Sequence, residues 1–133
     1  QAVGWTLRRW VIDSNVWIEG VAGVPDAAKV LVLAGGIDWC GFSAMSRLEV
    51  LGFPNLTPED EQRFQTLLAQ FHEIPVSETI IDKAIQLRRQ VRIKAPDAII
   101  AASALVEQAD LITRNDADFE KIPGLAVRSP ATL

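Results

Sequence analysis

Four acidic residues, far apart in the chain, have the side chains and the positions needed to bind a metal ion together. Asp13 ends an apolar run, Glu49 lies in a short predicted helix, Asp97 opens another helix, and Asp118 closely follows a second apolar run. In parallel α/β sheets the functional residues gather at the carboxyl ends of strands, so these carboxylates are expected to converge. Converging carboxylates repel one another unless a cation binds between them. Hard divalent cations such as Mg²⁺ or Mn²⁺ prefer such oxygen ligands.

The acids at positions 13 and 97 also have plainer interpretations when each is considered alone. Asp13 can cap the helix that follows it, in competition with Ser14 and Asn15. Asp97 lies in a first helical turn, where the helix dipole favours an acid without any metal. The four acids in order are a stronger indication of a metal site than any one of them.

The other two acids carry the same ambiguity. Ser46 and Glu49 match the spacing of a capping box, which would leave Glu49 with a purely structural role. The last acid can be Asp118 or Asp116, and either can belong to an ordinary Asx turn. The same segment supplies hydroxyl and amide side chains that can contact ligands or waters, Thr113 and Asn115.

Length and composition predict one globular domain. The chain has 133 residues, of which 49% are hydrophobic and 23% charged, so a packed core is expected rather than disorder. Residues 8–133 are assigned to the domain, and residues 1–7 to an N-terminal extension or an expression remnant. Apolar stretches fall short of the roughly 20 residues that span a bilayer. A single cysteine, Cys40, excludes an internal disulfide and fits a cytoplasmic protein.

The charge distribution is uneven. A net charge of −4 argues against a generic nucleic-acid-binding protein, whose domain is usually basic. Residues 83–94, however, contain five cations and no acid, which is compatible with a phosphate-backbone substrate. A solvated helix face is the plainer interpretation of this run. The candidate substrate-binding residues from it are Arg89, Arg92 and Lys94.

Apolar periodicity predicts strands alternating with helices along the whole chain, the pattern of a parallel sheet with helices on both faces. The predicted strands cover residues 9–13, 37–42, 72–76, 110–113 and 125–128. The predicted helices cover about 26–33, 44–51, 58–70, 78–92 and 97–107, with helical turns at 16–20 and 116–122. The fold class is therefore α/β, with about five strands.

Other kinds of active site find little support. His72 is the only histidine, and no Gly-x-Ser-x-Gly elbow accompanies it, so it is interpreted as a surface or strand-edge residue. One histidine and one cysteine make a zinc site improbable, and Cys40 is interpreted as a buried small hydrophobe. Neither a Gly-x-Gly-x-x-Gly motif nor a Walker A motif is present, which excludes dinucleotide and P-loop sites of the usual kind.

Four short stretches together resemble the PIN-domain family, and within it the VapC-type toxins of toxin–antitoxin pairs. They are residues 11–15 (VIDSN), 46–51 (SRLEVL), 94–105 (KAPDAIIAASAL) and 113–119 (TRNDADF). They occur in family order and, with the segments between them, cover nearly the whole chain from residue 8. Each is short and degenerate, whereas all four in order are specific.

The resemblance implies a three-layer α/β/α domain with a parallel sheet in the order 3-2-1-4-5. It also implies Mg²⁺- or Mn²⁺-dependent cleavage of RNA, a cognate antitoxin as partner, and a homodimer. The family's metal-site acids correspond to Asp13, Glu49, Asp97 and Asp118. Its supporting polar residues correspond to Ser14, Thr113 and Asn115, and Asn15 is a further candidate. Asp116 falls where the family is variable, so the resemblance favours Asp118 as the last acid and makes Asp116 a secondary ligand at most. The hypothesis has Asp13 and Asp97 bind the cation directly, with Glu49 and Asp118 binding through water or a second cation.

Two alternatives come from other classes of protein. An α/β phosphotransfer or phosphatase-like domain also has an acid after its first strand, but Asn15 occupies the position where the dehalogenase pattern requires a second acid. A non-catalytic binding module could keep the fold without turnover. The presence of all four acids disfavours that alternative.

Overall fold

The structure, a computed structural model, describes residues 7–133 and contains one parallel five-stranded sheet in the order β3-β2-β1-β4-β5. The predicted extension at residues 1–7 therefore lies, except for Leu7, outside the described residues. The strands are β1 (Arg9–Ile12), β2 (Trp39–Ser43), β3 (His72–Ile74), β4 (Asp110–Ile112) and β5 (Val127–Arg128). The predicted α/β class, strand number and strand order are confirmed.

Seven helices cover the two faces of the sheet in the part of the chain that the structure describes. They are α1 (Ser14–Val21), α2 (Pro25–Ala34), α3 (Ala44–Leu51), α4 (Pro58–Leu68), α5 (Glu78–Gln90), α6 (Ala95–Val106) and α7 (Asp116–Phe119). None of them is long and apolar enough to cross a membrane. A 3₁₀ turn, Pro130–Thr132, ends the chain.

The central strand β1 divides the core into two layers. Its side chains alternate, so that Trp10 and Ile12 pack against α1 to α4, while Val11 packs against α5, α6 and α7. All three are almost fully buried. Because β1 pairs with both β2 and β4, the residue that follows it emerges at the middle of the sheet's carboxyl edge.

Three predicted helix starts are confirmed in atomic detail. The hydroxyl groups of Ser43, Thr57 and Ser77 accept hydrogen bonds from the backbone N–H groups of Met45, Asp60 and Ile80. The capping-box interpretation of Ser46 and Glu49 is wrong, because α3 already begins after Ser43 and both residues lie inside it. Glu49 is therefore free of that structural role.

Two local predictions are also corrected. The predicted helical turn at 16–20 is a full helix, α1, capped by Asp13. The helical spacing of the apolar residues of α5 predicts one shared face for Ile80, Ile81, Ala84, Ile85 and Leu87. Ile81 and Ile85 are instead 37% and 44% exposed, and only Ile80, Ala84 and Leu87 are buried. An amphipathic helix with extra apolar residues cannot be oriented from spacing alone.

Gly41 of β2 is the residue that lets Trp39 fold back over the sheet. A Cβ at this position would lie 2.5 Å from the Trp39 ring and 2.7 Å from the carbonyl oxygen of His72. The indole in turn stacks on His72 at 5.4 Å between ring centroids and lies 4.4 Å from the Arg9 guanidinium carbon. The glycine therefore permits a close contact between β2 and β3.

We expect Gly41→Ala to lower the free energy of unfolding by about 1–3 kcal/mol, the usual cost of overpacking a core. Urea denaturation measures the change. Gly36→Ala is the matched control, because its Cβ would meet nothing closer than 3.7 Å. Equal stability of the two variants would contradict the role given to Gly41.

Candidate active site

Asp13 follows β1 directly and is the most buried of the predicted acids, with 6% of its surface exposed. Its backbone N–H continues the sheet by donating to the carbonyl oxygen of Ile112. One carboxylate oxygen accepts from the backbone N–H of Ser14 at 2.8 Å, and the other from the hydroxyl of Thr113 at 2.7 Å. The capping interpretation of Asp13 is thus confirmed, but it accounts for only one of the two oxygens.

The pKa of the Asp13 carboxyl is raised, first by burial and then by the negative charges of Asp97 and Glu49. The hydrogen bonds from Thr113 and Ser14 act in the opposite direction without cancelling that effect. Asp13 is therefore a buried carboxyl group that accepts hydrogen bonds from neutral donors and lies near two other acids.

Ser14 connects Asp13 to Glu49. Its hydroxyl donates to a Glu49 side-chain oxygen at 2.6 Å. The hydroxyl oxygens of Ser14 and Ser46 are 2.9 Å apart. Because a hydroxyl has one hydrogen, Ser46 must then donate to Ser14. The chain Ser46–Ser14–Glu49 fixes the orientation of the Glu49 side chain.

Ser46 is a member of this network that the sequence interpretation assigned only to a cap. It is 1% exposed and lies one turn before Glu49 on the same face of α3. The three-residue spacing between Ser46 and Glu49, which suggested a capping box, was the signal in the sequence that these residues act together. The hydrogen-bond partner of Ser46 is Ser14, on helix α1.

Thr113 connects Asp13 to Asp118 on the other side. Its hydroxyl donates to Asp13 and accepts from the backbone N–H of Asn115 at 2.9 Å. The Asn115 side-chain amide then donates to an Asp118 carboxylate oxygen at 2.7 Å. Thr113 is buried, whereas Asn115 and Asp118 are exposed. In the structure Thr113 therefore contacts Asp13, and Asn115 contacts Asp118, while their contacts with ligands or waters stay a prediction.

Asp97 lies in the first turn of α6, which three fully buried alanines, Ala98, Ala101 and Ala102, allow to pack closely in the core. Its pKa is raised by burial and by the charges of Glu49 and Asp118, and lowered by Lys94. The helix dipole favours an ionised acid at this position, but the raised pKa shows that burial and repulsion outweigh it. Asp97 therefore links the Asp13–Glu49 pair to Asp118.

Arg114 anchors the loop that carries Thr113 and Asn115. Its Nε donates to Glu19 at 2.7 Å, and its two terminal nitrogens donate to the two oxygens of Asp26. This bidentate pair holds the pKa of Asp26 below its usual range. The clamp ties the loop after β4 to α1 and α2, which fixes the position of the Thr113 hydroxyl.

The remaining candidates lie at the margins of the site. Asn15 is exposed in the first turn of α1, and Asp116 begins α7, two residues before Asp118. His72 is exposed on edge strand β3, as predicted. Cys40 is buried as predicted, and burial raises the pKa of its thiol to about 12. Neither of these last two residues belongs to the acidic network.

A cavity of about 440 Å³ lies beside the acids and is lined by both acidic and basic side chains. Asp97, Asn115 and Asp118 form part of its wall, and the rest includes Arg92 and Lys94, both predicted from the sequence. Arg88 and Lys121 also line it, whereas Arg89 is not among its lining residues. The basic run in the sequence did not show which of two adjacent arginines turns toward the acids.

The side chains fit a hydrated hard cation better than a fully enclosed one. Within residues 7–133, no three histidine, cysteine or acidic side chains are close enough to form a complete ligand cluster. Mg²⁺ does not require one, because it commonly keeps several waters and binds through one or two carboxylates. The site offers hard oxygen donors from acids. Burial and the neighbouring carboxylates raise the pKa of Asp13 and of Asp97, an effect that a bound cation would offset.

Replacing Asp97 by asparagine should stabilise the metal-free protein more as the pH rises. The folded state holds the pKa of Asp97 above its unfolded value, so it favours the protonated acid, and that stability is lost as the pH rises through the folded-state pKa. Asn mimics the neutral acid at every pH. Urea denaturation in EDTA at about pH 4 and about pH 8 should show the variant's advantage growing with pH. Asp82→Asn, on the exposed side of α5, is the control. An advantage for Asp97→Asn that is the same at both pH values would contradict the repulsion described above.

The PIN-domain family model matches residues 10–125 of the chain. A chain of a toxin–antitoxin complex from Klebsiella pneumoniae is similar, with 32% identity, a TM-score of 0.76, and coverage of 90% of this chain and 96% of that chain. No curated protein sequence matches.

Two further solved structures share the fold at lower identity. A chain of VapBC2 from Rickettsia felis, bound to a promoter DNA fragment, has 22% identity and a TM-score of 0.74, with coverage of 91% and 98% of the two chains. A chain of FitAcB from Neisseria gonorrhoeae has 22% identity and a TM-score of 0.75, with coverage of 93% and 99%. The family model, the sheet order and the acidic network agree, and the chain belongs to the PIN-domain family.

Proposed function

We propose that this protein is a Mg²⁺- or Mn²⁺-dependent endoribonuclease, acting as the toxin of a toxin–antitoxin pair. The observation that carries the proposal is the meeting of Asp13, Glu49, Asp97 and Asp118 at one edge of a PIN-domain sheet. Their mutual repulsion costs stability in the absence of a cation. A fold that keeps such a cost at one edge is typical of a functional site.

Asp13 and Asp97 would hold the cation directly, and Glu49 and Asp118 would bind it through water or through a second cation. Bound there, the metal would supply a water of lowered pKa and neutralise charge on the phosphate oxygens. Asp13 is suited to a direct ligand because it is rigidly held by Thr113 and Ser14. Asp97 is suited because it lies on a closely packed helix.

Glu49 and Asp118 are suited to accept a proton from the attacking water. Each is exposed at the edge of the site, and each has one oxygen oriented by a neutral donor, Ser14 or Asn115. A general base needs defined geometry before it needs a tuned pKa. The two hydrogen bonds supply that geometry while leaving the second oxygen of each carboxylate available.

RNA is proposed as the substrate because cations line the cavity beside the acids. Arg92 and Lys94 stand next to Asp97, where they can contact a phosphate backbone without displacing a metal from the carboxylates. Backbone contacts position a nucleic-acid strand, and base contacts set any sequence preference. The acidic net charge is consistent with binding confined to this region of the surface.

The antitoxin partner is proposed from the similar structures, which are named as toxin–antitoxin, VapBC and FitAB complexes. The homodimer is proposed from the resemblance to VapC-type toxins, and the cytoplasmic location from the single buried cysteine. A phosphotransfer function at Asp13 is disfavoured. A carboxylate that is 6% exposed, with both oxygens hydrogen-bonded, is poorly placed to attack a phosphate.

Asp97→Asn should reduce Mg²⁺-dependent cleavage of RNA by more than about 100-fold, beyond the loss usual for a residue that only supports a metal ligand. Gel analysis of structured and single-stranded RNA, with Mg²⁺ or with EDTA, measures it. The same variant should lose the Mg²⁺-induced rise in melting temperature, which wild type shows because a ligand of the folded state stabilises it. Asp82→Asn is the matched control and should retain both. Full cleavage by Asp97→Asn would refute the assignment of the site.

Expression of the wild-type protein should arrest bacterial growth, because uncontrolled RNA cleavage is toxic. Growth curves after induction measure this effect, and Asp97→Asn should relieve it at equal protein levels. Co-expression of the small open reading frame next to the gene should also relieve it. Arrest of growth by both the wild-type protein and Asp97→Asn would separate the toxicity from the acidic site and count against the toxin role.

A further inference from the structure

Four cations line the cavity on one side of the acidic site. Arg88 lies near the end of α5, Arg92 and Lys94 lie between α5 and α6, and Lys121 follows α7. Asp13, Ser14 and Glu49 are not among the residues that line this cavity. A nucleic-acid strand bound in this cavity would therefore extend away from the carboxylates in one direction.

These cations are free to bind an external anion. Five arginines of the described chain form ion pairs with acids, namely Arg9, Arg47, Arg63, Arg114 and Arg128. Within residues 7–133, none of the four cations that line the cavity forms such a pair. A cation without such an ion pair can contact phosphates.

Two of the cations are also held in position by backbone carbonyl groups. The Nε of Arg88 donates to the carbonyl oxygen of Ile93 at 3.2 Å, which leaves its terminal nitrogens free to donate elsewhere. The Nζ of Lys121 donates to the carbonyl oxygen of Arg92 and keeps two further hydrogens. Groups ordered before binding lose less entropy when the ligand arrives.

We propose that Arg88, Arg92, Lys94 and Lys121 form a groove that binds the phosphate backbone of a single-stranded nucleic acid on one side of the carboxylates. The cavity volume of about 440 Å³ is in the range of small-molecule sites, which is room for a short segment of one strand's backbone. None of the residues that line it is aromatic, so the groove contacts phosphates and leaves the bases unstacked. The proposal deepens the proposed function, since it rests on the same site being a nuclease, and it assigns Arg88 and Lys121 a role in positioning the substrate.

The test measures binding without cleavage. Fluorescence anisotropy of a labelled single-stranded RNA of mixed sequence, in EDTA, is recorded between about 50 and about 200 mM salt. Each phosphate contact on a single strand contributes about 0.7 to the slope of log K against log salt, so four contacts predict a slope near −3. Arg92→Gln and Lys121→Gln should each reduce the slope by about 0.7, and the double variant by about 1.4.

Arg89→Gln is the matched control, because Arg89 neighbours Arg88 on the same helix, is exposed, and lies outside the cavity. It should leave the slope unchanged. Lys121→Arg keeps the positive charge and should therefore show the wild-type slope. If Lys121 served only to contact the Arg92 carbonyl group, the slope would not depend on the charge at this position. Single-stranded DNA of the same sequence should show the same slope, and a duplex should bind more weakly.

An equal effect of Arg89→Gln and Lys121→Gln, or an unchanged slope in the double variant, would overturn the groove. A failure of the nuclease proposal is distinguishable from this outcome. A protein that binds RNA with the predicted slopes but never cleaves it keeps the groove and loses the proposed activity. A protein that cleaves RNA with unchanged slopes in every variant does the reverse.

Discussion

The hydrogen bond from Thr113 to Asp13 joins residues 100 positions apart and holds the buried carboxylate on which the site depends. Burial of an ionised group is costly unless donors compensate for lost water, and here the donors are a hydroxyl and a backbone N–H rather than a cation. A neutral donor orients the carboxylate without cancelling its charge. Asp13 therefore has no cationic partner among its hydrogen-bond donors, and a bound metal ion would supply the positive charge.

The same hydroxyl carries this constraint to the rest of the edge. Thr113 also accepts from the backbone of Asn115, which orients Asp118, while Ser14 does the equivalent for Glu49. Arg114 fixes the loop by forming ion pairs with Glu19 and Asp26, which lie outside the site. Its charge is therefore paired with these two acids and not with the four carboxylates of the site. The structure thus separates two tasks, since cations hold the scaffold and hydroxyl groups orient the acids.

Stability of the domain comes from elsewhere. The two core layers pack on opposite faces of β1, and each contains large side chains that are fully buried, such as Trp10, Trp17 and Phe119. A well-packed core can support a locally unfavourable edge, where like charges meet and the pKa values of Asp13 and Asp97 are raised. The unpaired cations of the cavity lie against that edge, which gives the surface a sharp boundary between negative and positive charge.

The sequence by itself determined the element order and the helix caps at Ser43, Thr57 and Ser77, because these follow from local chemistry and from the alternation of strands and helices. It also singled out the four acids, with Thr113 and Asn115, as candidate site residues. It could not orient α5, where Ile81 and Ile85 are exposed, nor choose between the adjacent Arg88 and Arg89. Adjacent residues differ by about 100° around a helix, and only tertiary packing decides which of them faces the rest of the protein. Tertiary structure alone decided that Ser46 bonds to Ser14 and that Lys121 meets the chain at Arg92, since these contacts join segments whose distance in space no local pattern encodes.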